Sequence, residues 1–404
     1  MTTRLSAPDL QALVEGGQAF CMAPWVNLSV ATGGAAAPCC EIKGRFGDAR
    51  SQALTDIWRA PSFERLRDSL LLDKKTPRCW KCYDVEVAGG LSMRQSYNRD
   101  YGSRAAEIVT GNRQPIRLDI RFSNLCNFTC RMCWHKASSR WHSDGLKIGQ
   151  RLGPTALIRS FKTFEDAIAE VAPLLETVET IYWAGGEPLL QEEHYEVLKR
   201  LLDLGRGDVA LSYNTNLSEF ELGDVGVFPI WADFPNLDLE ISIDGIGARA
   251  ELIRNGLVWT RFLENLERLR AEAPHARIRF GVTVSVLNVA ALAEIHECLM
   301  ALSGCAADDF RLHVLQQWEG YCVNVLPRAM KEKISEELGR YAQRLPATGG
   351  LHMARAQFLH VVGFMNKEDR SDMLPAFRKT TLDLDRIRGQ DTAVACPELA
   401  TLLA

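Results

Sequence analysis

Three cysteines, Cys126, Cys130 and Cys133, fall within eight positions of the stretch SNLCNFTCRMCW, with gaps of three and two residues between them. Thiolates this close bind metal or do redox work, and their number restricts which metal. Tetrahedral structural zinc takes four ligands, usually as two separated pairs, which a single three-cysteine loop does not supply. A cubane iron-sulfur cluster places one thiolate on each of its irons, so three cysteines leave one iron open to a substrate or cofactor. A second set, Cys21, Cys39, Cys40, Cys79 and Cys82, lies before residue 100 and contains a Cys-x2-Cys pair. Two grouped sets imply two sites, and a Cys-x2-Cys pair with two further cysteines also makes a zinc site. Cys298, Cys305, Cys322 and Cys396 are scattered.

These sets sit in a chain of 404 residues, 47% of them apolar, which is long enough for two or three domains. A net charge of −4 and the lack of a long Lys/Arg run argue against a nucleic-acid substrate. No secretory signal pattern opens the chain and no apolar run is long enough to cross a bilayer, which places the protein in the cytoplasm. There, clustered thiols are metal ligands rather than disulfides.

The loop of three cysteines needs a strand to carry it. Runs rich in Val, Ile and Leu at 116–124, 178–186, 209–216, 237–245, 278–286 and 310–317 are expected as strands. Helical spacing fills 259–273 and 289–302 between them, and such alternation builds a parallel sheet. The unusual residues of SNLCNFTC, AGGEP, NTN and SIDG cluster at the carboxyl ends of the expected strands, where α/β sites form. The fold class is therefore α/β, a curved, partial (β/α)6 TIM-like barrel. The polar stretch 101–115, ending in Gly and Pro, reads as a linker. The expected domains are 1–112, carrying the first cysteine set; 113–326, the partial barrel; and 327–404, a helical C-terminal extension in which Glu336, Glu337 and Arg340 form a solvated face.

With its Cys-x3-Cys-x2-Cys loop after a first strand, the chain resembles the radical S-adenosylmethionine (SAM) enzymes. The resemblance implies a [4Fe-4S] cluster on Cys126, Cys130 and Cys133. SAM chelates its open iron and is reductively cleaved to a 5′-deoxyadenosyl radical that abstracts a substrate hydrogen. It also implies SAM contacts from Gly185, Gly186 and Glu187 in AGGEP, from Asn216 in NTN, and from Ser242 and Arg254, while Met132 stands where many members carry an aromatic residue against adenine. Asp244 reads as shaping its turn. A flavodoxin- or ferredoxin-type protein would supply the electron.

The N-terminal stretches FCMAPWVNLSVATGGAAAPCCE, LTDIWRAPSFERLRDSLL and TPRCWKCYDVEVAGGLSMRQSYN resemble the twitch module, a shortened SPASM domain, here placed before the barrel. That resemblance implies an auxiliary [4Fe-4S] cluster on Cys21, Cys79, Cys82 and one of Cys39 and Cys40. Glu86, Ser92, Arg94 and Asn98 match further positions, for the site wall or for folding. The 20 residues before Cys21 leave no room for a cobalamin-binding domain, so a small molecule or peptide held in the barrel mouth is expected. Oxidation, epimerisation and bond formation all stay open. Glu319, Tyr321 and Cys322 in QQWEGYC are expected near that mouth, with Cys322 as the candidate hydrogen donor. His194 and His313 show no partner pattern and read as structural or surface residues. DLDRIRGQ and CPEL near the C-terminus are expected to close the open side of the barrel. The alternatives are an iron-sulfur or zinc-stabilised binding or electron-carrier protein, and an RNA-modifying member of the same family.

Overall fold

The structure is a computed structural model that describes residues 5–87, 89–111, 114–316, 318–346 and 354–404, and, within these, not the side chain of residue 319. It divides into two compact units, one formed by Met1–Asn124, Ile158–Tyr213 and Glu221–Leu237, the other by Leu125–Leu157, Asn214–Phe220 and Asp238–Ala404.

In the first unit the strands are β1 (Asn27–Val30), β2 (Ala35–Ala37), β3 (Gly47–Asp48), β4 (Arg117–Ile120), β5 (Thr180–Trp183) and β6 (Ala210–Thr215), with a small hairpin of β7 (Glu221–Leu222) and β8 (Val225–Gly226). The order is β3-β2-β1-β4-β5-β6. β1, β4, β5 and β6 run parallel, with Leu28 opposite Leu118, Leu118 opposite Ile181 and Ile181 opposite Leu211. Alternation sorts the side chains: Leu28, Val30, Leu118, Ile120, Ile181, Trp183, Leu211 and Tyr213 are buried in the core. Ser29 and Asp119 point to the other face, where the Ser29 hydroxyl donates to the Asp119 carboxylate at 3.0 Å.

The second unit carries β9 (Leu237–Ser242), β10 (Arg277–Val284) and β11 (Phe310–Val314), all parallel. In β9 the pattern LDLEIS buries Leu237, Leu239 and Ile241 and sends Asp238, Glu240 and Ser242 to the opposite face. Helix Trp259–Glu272 covers the core side with Phe262, Leu266 and Leu269, spaced four and three residues apart. Helix Leu292–Ser303 does the same with Leu292, Ile295 and Leu299.

All six expected parallel strands are present, and β3 and β11 each pair on one side only, so the barrel is partial. The sequence reading did not anticipate β1–β3. The expected linker at 101–115 contains a 3-10 turn, Gly102–Arg104, and a helix, Ala105–Thr110, while residues 112 and 113 lie outside the described residues. The tail forms helices Arg328–Arg344, Ala354–Asn366 and Leu374–Arg388. Glu336–Arg340 and Lys333–Glu337 are spaced along the exposed face of the first. CPEL docks within the second unit, where Glu398 grips Arg249 at 2.6 and 2.9 Å and the Cys396 thiol donates to the Leu287 carbonyl at 3.4 Å.

One carboxylate fixes the segment leading into Cys21. Asp73 follows helix Pro61–Leu71 in a left-handed conformation (φ 50°) and accepts the amides of Gln18, Ala19 and Phe20 at 2.9, 2.7 and 3.0 Å. Partial burial raises its pKa, but the three amides outweigh that and hold it below 3.8. A depressed carboxyl contributes stability above its unfolded value, and that stability is lost as pH falls through the folded one. Asp73→Ala is expected to cost about 1–3 kcal/mol by orphaning the amides. In urea melts the wild-type-minus-variant difference should be constant above pH 5 and shrink as the pH is taken below about 4; a difference independent of pH would contradict this.

Candidate functional site

The cysteine loop belongs to the second unit and is pinned by its backbone. The Thr129 and Arg131 amides donate to the Asn255 and Ile253 carbonyls at 2.8 and 2.7 Å, just after helix Gly247–Ile253. Gly256 makes that approach possible, because it has φ +112° and a Cβ there would lie 2.7 Å from the Phe128 ring. On the loop's other side the Ser138 hydroxyl donates to the Phe128 carbonyl at 2.6 Å and the Trp141 indole to the Cys130 carbonyl at 2.8 Å. The Cys133 amide closes a turn onto the Cys130 carbonyl at 3.0 Å.

Cys130 is buried, while Cys126 and Cys133 are half-buried. A hydrogen bond from Cys133 holds the Cys130 thiol below its usual range against the effect of burial, with the Arg254 charge assisting; Cys133 itself is pushed well up. The Arg254 guanidinium lies 3.9 Å from the Cys130 sulfur and pairs with Asp244 at 2.7 Å. Asp244, at the end of β9, is fully buried and also accepts the Thr283 amide of β10 at 2.6 Å. Burial pushes its carboxyl above 3.8, and Arg254 and that amide oppose the rise. Asp244 is thus more than a turn former: it carries the counter-charge for Arg254.

Asn216 is brought to the same loop, its amide donating to the Asn127 side chain at 2.9 Å. Ser242 ends β9 opposite Gly281, and Met132 is buried. A three-thiolate loop with one adjoining guanidinium suits an iron-sulfur cluster with a negatively charged ligand, since the cation stabilises both thiolate and carboxylate.

In the first unit, Gly185 and Gly186 follow β5 with φ +89° and +59°. A Cβ on Gly185 would come 2.5 Å from Cβ of Arg121, so only glycine fits. Gln191 donates to the Gly185 carbonyl at 2.7 Å. Glu187 is buried, and its carboxylate caps the turn Pro188–Leu190 through the Leu189 amide at 3.4 Å.

The same unit gathers the first cysteine set. Cys21, Cys39, Cys79 and Cys82 line one cavity, with Met93 and Arg94 also in its wall. Cys40 is exposed instead, 4.0 Å from the Met93 sulfur and hydrogen-bonded to Arg121. Burial raises the Cys21, Cys39 and Cys82 thiols and pushes Cys79 up to about 11, with neighbouring sulfurs adding to the rise at Cys21, Cys39 and Cys79, and Glu86 and Glu41 adding to it at Cys82. Four neutral thiols around an enclosed space suit a centre that brings its own positive charge. Glu86, Ser92, Arg94 and Asn98 form the frame of this site. Arg94 is held by Glu86 at 2.9 and 2.7 Å, and it donates to the Gly17 and Phe20 carbonyls at 3.0 and 2.9 Å. Asn98 donates to the Phe20 carbonyl at 3.0 Å and accepts the Met22 amide at 2.9 Å, bracketing Cys21.

The QQWEGYC segment is divided. The Glu319 side chain lies outside the described residues. Tyr321 is buried, its hydroxyl bonded to Thr381 at 3.0 Å and its ring against Phe377. Cys322 is buried, its sulfur 3.7 Å from the Trp318 carbonyl. Two histidines have partners that the sequence pattern did not reveal. Buried His194 meets the Tyr213 hydroxyl at 2.8 Å and burial pushes its pKa down to about 3, so it is a neutral core residue. His313 projects from β11 onto the polar strand face, 3.2 Å from Glu240 of β9. Glu240 reaches it because Gly281, between them on β10, has no side chain; a Cβ there would lie 2.7 Å from the carboxylate. The period-two alternation of β9 and β11 was the available signal.

The model of the Radical SAM superfamily matches residues 120–296, and that of the SPASM iron-sulfur cluster-binding domain matches residues 21–83. Residues 120–296 thus match a radical SAM domain, and a SPASM iron-sulfur domain precedes it in the chain. The cofactors are SAM at a [4Fe-4S] cluster and an auxiliary iron-sulfur cluster. No curated protein sequence matches the chain. Among solved structures, native anSMEcpe with bound AdoMet and Cp18Cys peptide aligns at 14% identity over 57% of this chain and 59% of that one, with a TM-score of 0.39. Streptococcus suis SuiB bound to precursor peptide SuiA aligns at 12% identity over 70% of this chain and 51% of that one, with a TM-score of 0.37. The chain thus spans between half and three-fifths of the length of these structures. No helix among the described residues is long and apolar enough to cross a membrane.

Replacing Asp244 by Asn should leave Arg254 as an uncompensated buried charge and cost about 3–5 kcal/mol of unfolding free energy in denaturant titrations. A loss below about 1 kcal/mol would mean that the pair is already solvated.

Proposed function

We propose that this protein is a radical SAM oxidoreductase whose Cys126, Cys130 and Cys133 hold the SAM-binding cluster and whose Cys21, Cys39, Cys79 and Cys82 hold the auxiliary cluster. The observation that carries the reading is the Arg254 guanidinium, 3.9 Å from the Cys130 sulfur and tied to Asp244 at 2.7 Å. When bound, the cluster and SAM supply a 5′-deoxyadenosyl radical that removes a hydrogen atom from the substrate. Arg254 would orient the SAM carboxylate beside the loop, and Asn216 orders Asn127 within it. Cys39 is the auxiliary ligand because it lines the cavity, and Cys40 is left as a free thiol toward Arg121.

The substrate is a small molecule or a peptide. Oxidation or bond formation, with the auxiliary cluster receiving the substrate electron, fits better than epimerisation by Cys322, whose thiol is buried against the Trp318 carbonyl. A flavodoxin- or ferredoxin-type donor would reduce the SAM cluster.

Anaerobically reconstituted protein should bind about eight irons per chain and, with dithionite, cleave SAM to 5′-deoxyadenosine. Cys126→Ala should abolish cleavage, and Cys79→Ala with Cys82→Ala should remove about half of the iron while SAM cleavage persists. Wild type that holds a full loop cluster and still forms no 5′-deoxyadenosine would defeat the enzyme reading, and zinc in place of iron at the N-terminal set would defeat the auxiliary assignment.

A further inference from the structure

Arg131 stands between the second and third cysteines of the loop and is fully buried, although an exposed arginine would be the ordinary choice on a loop. Its partners come from two directions. The amide donates to the Ile253 carbonyl at 2.7 Å and Nε to the Leu252 carbonyl at 3.2 Å, both at the end of helix Gly247–Ile253. Nη2 is taken by Asp385 and, at 2.9 Å, by Gln390, more than 250 residues further along the chain. Asp385 also accepts the Thr392 amide at 3.0 Å and its hydroxyl at 2.9 Å, which locks the carboxylate in place. Gln390 donates to the Asn255 side chain at 3.1 Å, and Asn255 in turn donates to the Thr129 hydroxyl at 2.6 Å. One turn on, Arg388 pairs with Asp144 at 2.9 Å and lies over Trp141, the indole that holds the Cys130 carbonyl.

We propose that the segment from Asp385 to Thr392 is a clamp on the cluster loop, with Asp385 and Gln390 as positioning residues that set the Cys130 and Cys133 sulfurs through Arg131. The inference rests on reading that loop as the SAM-cluster site. The bonds of Asp385 and Gln390 to Arg131, and of Gln390 to Asn255, reach the loop or the segment it leans against, so the C-terminal helix does more than cover apolar surface. Arg131 suits the task because its planar fork meets a carboxylate, an amide oxygen and a carbonyl at once. With Asp385 gone, its buried charge keeps only neutral acceptors, and the loop is expected to open to hydrate it.

The test compares wild type with Asp385→Asn, Gln390→Ala and, as a control on the same helix, Asp383→Asn, whose carboxylate pairs with Lys379 and Arg386 rather than with Arg131. In cluster-free protein, hydrogen exchange at the Thr129 and Arg131 amides should quicken by about tenfold or more in Asp385→Asn and less in Gln390→Ala, while the Thr283 amide and the control stay at wild-type rates. After reconstitution, Asp385→Asn should lose loop iron to a chelator faster, and its reduced cluster should show a weakened electron paramagnetic resonance response to added SAM; Asp385→Glu should restore part of both. Wild-type exchange at both amides in both variants would overturn the clamp, even if the melting temperature fell. Should Asp385→Asn not fold, Gln390→Ala decides alone. Wild type that assembles no loop cluster would defeat the proposed function, and the exchange comparison would still decide the clamp.

Discussion

A guanidinium as buried as Arg254 can persist only where its charge is met, and the second unit is organised around meeting it. Asp244 must be at the end of β9, and β9 must register against β10 so that the Thr283 amide reaches the same carboxylate. Helix Gly247–Ile253 must then return the chain so that Arg254 faces the cysteine loop. The loop is held by the two carbonyls just before and after Arg254, those of Ile253 and Asn255. Charge neutralisation and loop placement are therefore one constraint, and the thiol nearest the cation is the buried one.

The two cysteine sites reach their metal-binding state by different physics. In the loop, the hydrogen bond from Cys133 and then the Arg254 charge hold Cys130 below its usual range. In the N-terminal site burial dominates and raises the thiols, with the Arg94 charge opposing the rise at Cys21. A buried thiol gives up its proton most readily to a centre with strong charge of its own.

Much of this was legible in residue type and spacing. The six parallel strands followed from β-branched runs between helical patterns, and the cysteine loop from three thiols after the first of them. The choice between Cys39 and Cys40 was not legible, because adjacent residues of a turn point in different directions and only the backbone after β2 decides which faces the cavity. Nor were β1, β2 and β3, which are two to four residues long, with β1 pairing to β4 across 90 positions at Ser29 and Asp119. The contacts of Tyr321 with Phe377 and Thr381 were not legible either, because they join segments that local patterns cannot register.

The placement of the SPASM module ahead of the barrel is accommodated by β1. This strand joins the sheet in parallel beside β4, so the hairpin β1–β2 delivers Cys39 and Cys40 directly from a strand of the same sheet. Cys40 then meets Arg121, the residue after β4, and Arg121 packs against Gly185, the residue that begins the glycine turn after β5. The auxiliary cysteines and the Gly-Gly-Glu turn are thereby fixed by neighbouring strands of one unit rather than by a tether. Strand pairing, unlike chain order, determines their spacing.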